Sequence, residues 1–352
     1  MSTYTLIQPN VHLICNPLVR SSLEIEVILT SGGSWFEAEA DRGRKHLMEH
    51  CIASRTADMD FITFKNYQFR ENIMINAYTS QNSLAVTAKT HASKFTQALE
   101  KVLEMAITPT FDNDILTQER EIVLREISER RGSPDYKLHF WTMDQICQPG
   151  SADTHEVLGS SEQVALTTLG DMIRLQHQNL EQSNLIVIVS GGSVDESEAT
   201  RIINEILNKA ENPFIQSFAK TETKNPITFQ PPNKLKSFQL QPLVHELAHE
   251  HADVSIFIPC TVGLENLATQ NVFKELFLNY YGVIYHRLRD ELGYIYSLHS
   301  SFLFNTQMLE LNLSCELQYI SAKPYANLCQ PLPTCSSQPC NRCLKAVSRF
   351  KI

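Results

Sequence analysis

At 352 residues, with 43% apolar and 20% charged side chains, the chain is long enough for about two globular domains of ~100–200 residues each. A formal net charge of −9 argues against nucleic acid or an anionic membrane surface as the main partner. No stretch approaches the ~18 apolar residues of a membrane span, and the Arg-poor opening MSTYTLIQPNVHLICNP lacks the basic-then-apolar order of a secretory signal, so a cytoplasmic protein is expected.

The elements follow in chain order. LEIEVIL (23–29) alternates apolar and polar residues, as a half-buried strand does, and SGGS (31–34) supplies a turn. KHLMEHCIA follows as a short helix. INAYTSQNSLAVTAKT (75–90) reads as two strands around a polar turn. KFTQALEKVLEMAI (94–107) carries a helical stripe of Phe95, Ala98, Leu99, Val102, Leu103 and Ala106. DNDILTQEREIVLREISERR (112–131) is a stronger helix, capped by Asp112 or Asn113, with Ile115, Val123 and Ile127 inward. NLIVIVSGG (184–192) is a buried strand ending in a glycine turn, and VDESEATRIINEILNKA (194–210) is another amphipathic helix.

Pro213, Pro226, Pro231 and Pro232 then mark a stretch with little periodicity, read as a linker over 212–236. Beyond it ADVSIFIP (252–259) is a strand and 265–291 is mainly helix; YIYSLHSSFLF and MLELNLSCEL read as strands. The two halves share a mixed order of strands and helices, as a duplicated α+β domain does. The expected limits are 1–211, the linker, and 237–352, with an irregular Cys-rich tail from about 316. Of nine cysteines, five are scattered and read as reduced thiols. Cys329, Cys335, Cys340 and Cys343 cluster at the end, in spacings that do not make two C-x-x-C pairs; they read as a loose polar tail, with a small zinc knuckle as the alternative.

Two zinc-protease signatures compete. KHLMEH (45–50) contains the inverted motif H-x-x-E-H. On a helix His46 and His50 lie one turn apart and face the same way, with Glu49 beside them. Two neutral imidazoles can hold Zn²⁺ while leaving room for water, and a neighbouring carboxylate can take the proton as that water attacks a carbonyl. A third protein ligand is commonly needed, and Glu119 and Glu126, seven apart on one helix face, are candidates. Glu121 and Glu129 point elsewhere, into solvent. VHELAHEH (244–251) contains the direct motif H-E-x-x-H, with His245 and His249 as ligands, Glu246 as base, and Glu265 or Glu275 as a third ligand. Pattern alone does not choose between them.

The segment from Gly43 through His46, Glu49 and His50 resembles the pitrilysin and mitochondrial processing peptidase family of inverted-motif zinc metallopeptidases. NAYTS (76–80) resembles that family's N-A-x-T-S segment, and EREIVLREI (119–127) its helix with two glutamates seven apart. Residues 157–192 are similar to its stretch before the last strand of the first domain, and YHRLRDELGYIYS (285–297) to the Arg…Tyr segment of its second. The resemblance runs from about residue 5 to 315. It implies two homologous α/β sandwich domains with mainly antiparallel sheets, the second shorter here than in the family. It implies one Zn²⁺ per chain held by His46, His50 and Glu126, Glu49 as general base, and Glu119 orienting a ligand. Asn76 and Ala77 would lie on an edge strand that pairs with peptide substrates. Arg289 and Tyr296 would reach the substrate carbonyl and the developing oxyanion, with Arg287 and Tyr294 as the alternative pair. A homodimer, or a heterodimer with a related chain, is expected. The departures are Arg44 and Lys45, where the family has small or apolar residues, and Arg55, where it often has Gly.

The resulting expectation is a zinc-dependent endopeptidase acting on unfolded peptides. Its alternatives are a non-catalytic scaffold or partner subunit, and a direct-motif peptidase centred on Glu246. There is no G-x-S-x-G nucleophile turn and no G-x-x-x-x-G-K phosphate loop.

Overall fold

The computed structural model of the chain describes residues 2–147, 156–192, 194–209, 251–259, 267–303 and 308–316. The linker over 212–236, the HELAH motif, Glu265 and the four terminal cysteines lie outside the described residues. The chain divides into two compact units, Met1–Arg131 with His155–Thr228, and Gly132–Thr154 with Phe229–Ile352.

The first unit is built on a six-stranded sheet. Its strands are β1 (Thr3–Gln8), β2 (Val11–Asn16), β3 (Ser22–Leu29), β4 (Met74–Thr79), β5 (Leu84–His91) and β6 (Leu185–Gly191), in the order β1-β2-β6-β3-β5-β4. All neighbours are antiparallel except β2 and β6. Period-two patterning sets the faces: Leu23, Ile25, Val27 and Leu29 of β3 are buried, as are Leu185, Val187 and Val189 of β6, while Ser22 and Glu24 are exposed. Helices α1 (Arg44–Ser54), α2 (Phe61–Glu71), α3 (Phe95–Ile107) and α4 (Asn113–Gly132) follow the early strands. The second unit's α5 (Pro134–Ile146) comes next, then α6 (Ser161–Ala165), α7 (Leu169–Gln182) and α8 (Glu196–Lys209). The stripe on α3, Ala98 through Ile107, packs on β3 and β5, and α1 packs on β4. Each such fully buried aliphatic side chain contributes roughly 1.5–3 kcal/mol.

Two backbone approaches place α1. The SGGS segment lies against the β4–β5 hairpin turn, with the N–H groups of Ser34 and Trp35 donating to the carbonyls of Ser80 and Gln81. A Cβ on Gly33 would stand 2.3 Å from the Gln81 carbonyl oxygen, so this glycine serves close approach. Gly43, which precedes α1, has a φ of +89°, and a Cβ there would meet the Leu158 carbonyl oxygen at 2.5 Å. The chain therefore enters α1 through a left-handed turn that only glycine takes without strain.

In the second unit β7 (His251–Pro259), β8 (Ser297–Leu303) and β9 (Met308–Glu316) form an antiparallel sheet in the order β7-β9-β8. The expected helix over 265–291 is broken. A helix, α9 (Leu267–Phe273), runs into the wider turn Lys274–Leu278, and after Gly282 the turn Val283–Tyr285 runs into a second wide segment, His286–Glu291. Tyr285, Ile295 and Leu298 are its buried cluster, packed against Ile284, Leu288, Leu311 and Leu313. Strand β8 begins at Ser297, three residues later than the alternation from Tyr294 suggests, because Gly293 at φ +63° turns the chain and leaves Tyr294 and Tyr296 exposed.

Candidate metal centre

Helix α1 is buried almost all round: Arg44 through Glu49, Cys51, Ile52 and Ser54 are buried. His46 and His50 project from one side, their rings edge to face with centroids 4.8 Å apart. Helix α4 runs beside them. Its Ile115, Leu116, Val123 and Ile127 are buried, Glu121 and Glu129 are exposed, and Glu119 and Glu126 turn toward α1.

The donor atoms converge. Glu126 Oε2 lies 3.7 Å from His46 Nε2 and 3.6 Å from His50 Nε2. One ligand atom from each of His46, His50 and Glu126 falls within 4.8 Å of the others, the only such His, Cys or carboxylate group among the described residues. Two donors on a tetrahedral zinc, with bonds of ~2.0–2.1 Å, stand ~3.3 Å apart, so the observed spacing needs only small side-chain adjustment to close on an ion. Nitrogen and carboxylate donors suit zinc. The Nδ1 of His46 is buried without a hydrogen-bond partner among the described residues.

Electrostatics treats the two histidines differently: at His50 burial works downward, but the Glu119 hydrogen bond and the charges of Glu49, Glu119 and Glu126 outweigh it and raise its value. Burial, helped by the neighbouring His50, pushes His46 down to about 4, so its imidazole is neutral at neutral pH, as ligation requires. Burial pushes Glu49 up to about 7, with the carboxylates of Glu126 and Glu119 adding to the shift and His50 opposing it. Glu49 Oε2 stands 3.8 Å from His46 Nε2. For Glu119, burial works upward but the hydrogen bonds to His50 and Ser54 outweigh it, and the carboxyl is held below its ordinary value. Glu119 Oε2 accepts from His50 Nδ1 at 3.3 Å, the tautomer that leaves Nε2 free for a metal. Cys51, next to His50, is pushed up to about 12 by burial and by Glu119, which keeps it a thiol.

The unusual cations around α1 make their own structural contacts. Arg44 pairs with Asp41 and Asp171, both at 2.9 Å. Lys45, 2% exposed, donates from Nζ to the Ser31 carbonyl at 2.7 Å and lies over the Phe36 ring. Arg55 pairs with Asp112 just ahead of α4. Glu37, which the sequence reading passed over, accepts the backbone N–H groups of Gly43 at 2.9 Å and Lys45 at 2.7 Å. It anchors the first turn of α1 from six residues away, a role with no short-range signature.

Asn76 and Ala77 lie on β4, the last strand of the sheet, paired with Thr87 and Val86 of β5; Asn76 is exposed and Ala77 buried. No described strand pairs with the other side of β4. Arg289 and Tyr296 belong to the second unit, where the guanidinium sits 5.2 Å from the ring centroid. The alternative pair is not brought together in that way: Arg287 pairs with Glu291, and Tyr294 is exposed. No helix among the described residues is long and apolar enough to cross a membrane.

Both halves of the chain are similar to known proteins. The family profile described as insulinase (peptidase family M16) matches residues 20–143, which hold His46, Glu49, His50, Glu119 and Glu126, and the peptidase M16 inactive domain profile matches residues 168–322. A probable mitochondrial-processing peptidase subunit beta of Arabidopsis thaliana is 24% identical over 180 residues, 50% of this chain and 33% of that protein. An uncharacterized zinc protease, YmxG, of Bacillus subtilis is 26% identical over 182 residues, 52% of this chain and 44% of its own. A non-peptidase homolog of the same name from Helicobacter pylori is 22% identical over 199 residues, 55% of this chain and 46% of its own. The chain thus spans less than half the length of these relatives. Among solved structures, a protease from Helicobacter pylori superposes with a TM-score of 0.71 at 18% identity, over 93% of this chain and 78% of that one. A peptidase M16 inactive domain from Pseudomonas fluorescens gives 0.73 at 13% identity, over 93% and 77%. At these identities the structures speak for the fold alone.

Proposed function

Because the chain belongs to the insulinase family of peptidases, family M16, we propose that it is a zinc-dependent endopeptidase that hydrolyses unfolded peptides or short polypeptides. The observation that carries this reading is the convergence of His46 Nε2, His50 Nε2 and Glu126 Oε2 beside a buried Glu49. In this reading those three side chains hold one Zn²⁺ per chain, within a catalytic domain over 1–211. Zinc bound there supplies Lewis acidity toward a carbonyl oxygen and makes water a stronger nucleophile at neutral pH.

The rest falls to the chain's own groups. Glu49 accepts a proton from the attacking water and returns it to the leaving amine. Glu119 holds His50 in the tautomer that presents Nε2. The backbone of β4 at Asn76 and Ala77 takes the substrate as an added strand, which tolerates many sequences because main-chain hydrogen bonds ignore side chains. Arg289 and Tyr296 of the second domain, over 237–352, serve the substrate carbonyl and the oxyanion that develops on it. Reduced thiols at Cys15 and Cys51 fit a reducing compartment such as the cytoplasm. Pairing with a second copy or a related chain is part of the reading, supported by the relative named as a subunit.

A second reading, a non-catalytic scaffold or partner subunit, is favoured by the relative named as a non-peptidase homolog. One experiment separates them. Zinc content and peptide cleavage are measured for the unmutated chain, Glu49→Gln and Glu246→Gln. The peptidase reading expects about one zinc per chain throughout, a roughly 10²–10⁴-fold loss of cleavage in Glu49→Gln, and unchanged cleavage in Glu246→Gln. Zinc without cleavage in the unmutated chain points to the scaffold. Loss confined to Glu246→Gln moves the chemistry to the direct motif.

A further inference from the structure

We infer that Ser54 is a positioning residue of the metal centre: its hydroxyl fixes Glu119 and, through Glu119, the ring of His50. The inference rests on the reading in which His50 is a zinc ligand.

Ser54 closes α1 one turn after His50, and it is 5% exposed. Its Oγ lies between two acceptors, Glu119 Oε1 at 2.6 Å and the His50 carbonyl oxygen at 2.8 Å. A hydroxyl has one hydrogen to give. The shorter contact lies within the ~2.5–2.7 Å of a charge-assisted O–H···O⁻ bond, and the carboxylate is the stronger acceptor. The other carboxylate oxygen, Oε2, is 3.3 Å from His50 Nδ1, a long hydrogen bond. The terminal torsion of a glutamate is broad, so one long bond fixes its plane poorly. With Ser54 donating to Oε1, both oxygens are tied to the last turn of the helix that carries the two histidines. The carboxylate plane is then set, and with it the direction in which His50 Nε2 faces Glu126. Nothing in the spacing of the metal motif calls for a serine here; the arrangement depends on α4 bringing Glu119 to the end of α1.

The competing role is a plain helix terminus, in which the hydroxyl bonds back to the carbonyl four residues earlier. Zinc affinity of the full chain, read by competition with a chromogenic chelator, distinguishes the two. Ser54→Ala is expected to weaken zinc about 10-fold, at the lower end of what loss of a residue behind a metal ligand costs. Ser54→Thr, which keeps the hydroxyl, is expected to restore the affinity. Ser54→Cys keeps the side-chain volume without a strong donor and should fall with Ser54→Ala, which covers the case in which alanine disturbs folding. Added to Glu119→Ala, which removes both acceptor oxygens, Ser54→Ala should cost nothing further, because the path through Glu119 is already broken. Full zinc affinity in both Ser54→Ala and Ser54→Cys, with only thermal stability changed, overturns the inference. So does an undiminished loss in the Glu119→Ala background. An unmutated chain that binds no zinc overturns the metal reading itself, and this inference with it.

Discussion

Glu119 and Glu126 stand seven residues apart on one helix and differ in surroundings. Glu119 is 7% exposed and bonded to two side chains, whereas the Glu126 side chain keeps 40% of its surface and faces both histidine Nε2 atoms. That difference argues for Glu126 as ligand and Glu119 as the group that orients one. Glu126→Gln removes an anionic donor, so the expected outcome is a chain that no longer retains zinc through gel filtration, while Glu119→Gln lowers affinity by roughly 10–100-fold and still binds. Equal effects of the two would undo the division. Glu37 offers a stability prediction of its own. Glu37→Ala leaves two N–H groups at the buried start of α1 without their acceptor, at a cost of about 1–3 kcal/mol each, measurable by urea denaturation. The juxtaposition of His46 and His50 was legible because helix geometry alone puts i and i+4 on one side. Glu37 and Ser54 were not, since their roles exist only once a loop or a second helix arrives beside α1.

Most elements read from the sequence have one apolar face, but β2, which buries Val11, Leu13 and Cys15 in strict alternation, carried the same signal and was not among them. The strands β3 through β6 and the helices α3, α4 and α8 all bury a periodic set, and each lies where the pattern places it. Helix α2 was passed over because Phe64 is its only buried residue, so it has no stripe to read. Helix α7 did carry a signal, the capping box of Thr168 and Asp171, each side chain bonded to the other's backbone N–H. Its removal can be measured: Thr168→Ala is expected to cost ~1 kcal/mol of stability. Asp171 makes that end of α7 sensitive to acid. Burial works to raise its carboxyl, but hydrogen bonds from Thr168 and Arg174 and the charge of Arg44 outweigh it, and the net value falls from 3.8 to about 2. A depressed carboxyl contributes its full stabilisation above the ordinary value and loses it as pH drops toward the folded one. The stability gap between the unmutated chain and Asp171→Asn should therefore be constant from pH 7 to about pH 5 and shrink below pH 4, vanishing toward pH 2. A gap that grows on acidification would show that Asp171 is not held in its charged form.

At the scale of the whole molecule, the duplicated α+β organisation was legible from two runs of mixed elements, and the broken helix over 265–291 was not. A periodic apolar pattern cannot announce the wide turns at Lys274–Leu278 and His286–Glu291, which insert a residue without changing composition. Those turns carry Arg289 and lead to Tyr296, the residues through which the second unit would enter the reaction. Their stacking admits two explanations. A guanidinium over an exposed tyrosine ring is worth ~0.5–1 kcal/mol as a local contact and needs no function. If the pair serves the substrate, the tyrosine hydroxyl and the guanidinium matter separately from the stacking. Tyr296→Phe separates the two, because it keeps the ring that Arg289 covers and removes only the hydroxyl. The expected outcome is a fall in kcat of about 100-fold, the scale of losing one donor to an oxyanion, with zinc content and melting temperature unchanged. Arg289→Ala should lower kcat/KM and soften the unit slightly, since it removes both the charge and the contact. Turnover unchanged in Tyr296→Phe would reduce the pair to a surface contact and leave the chemistry to the first unit's groups alone.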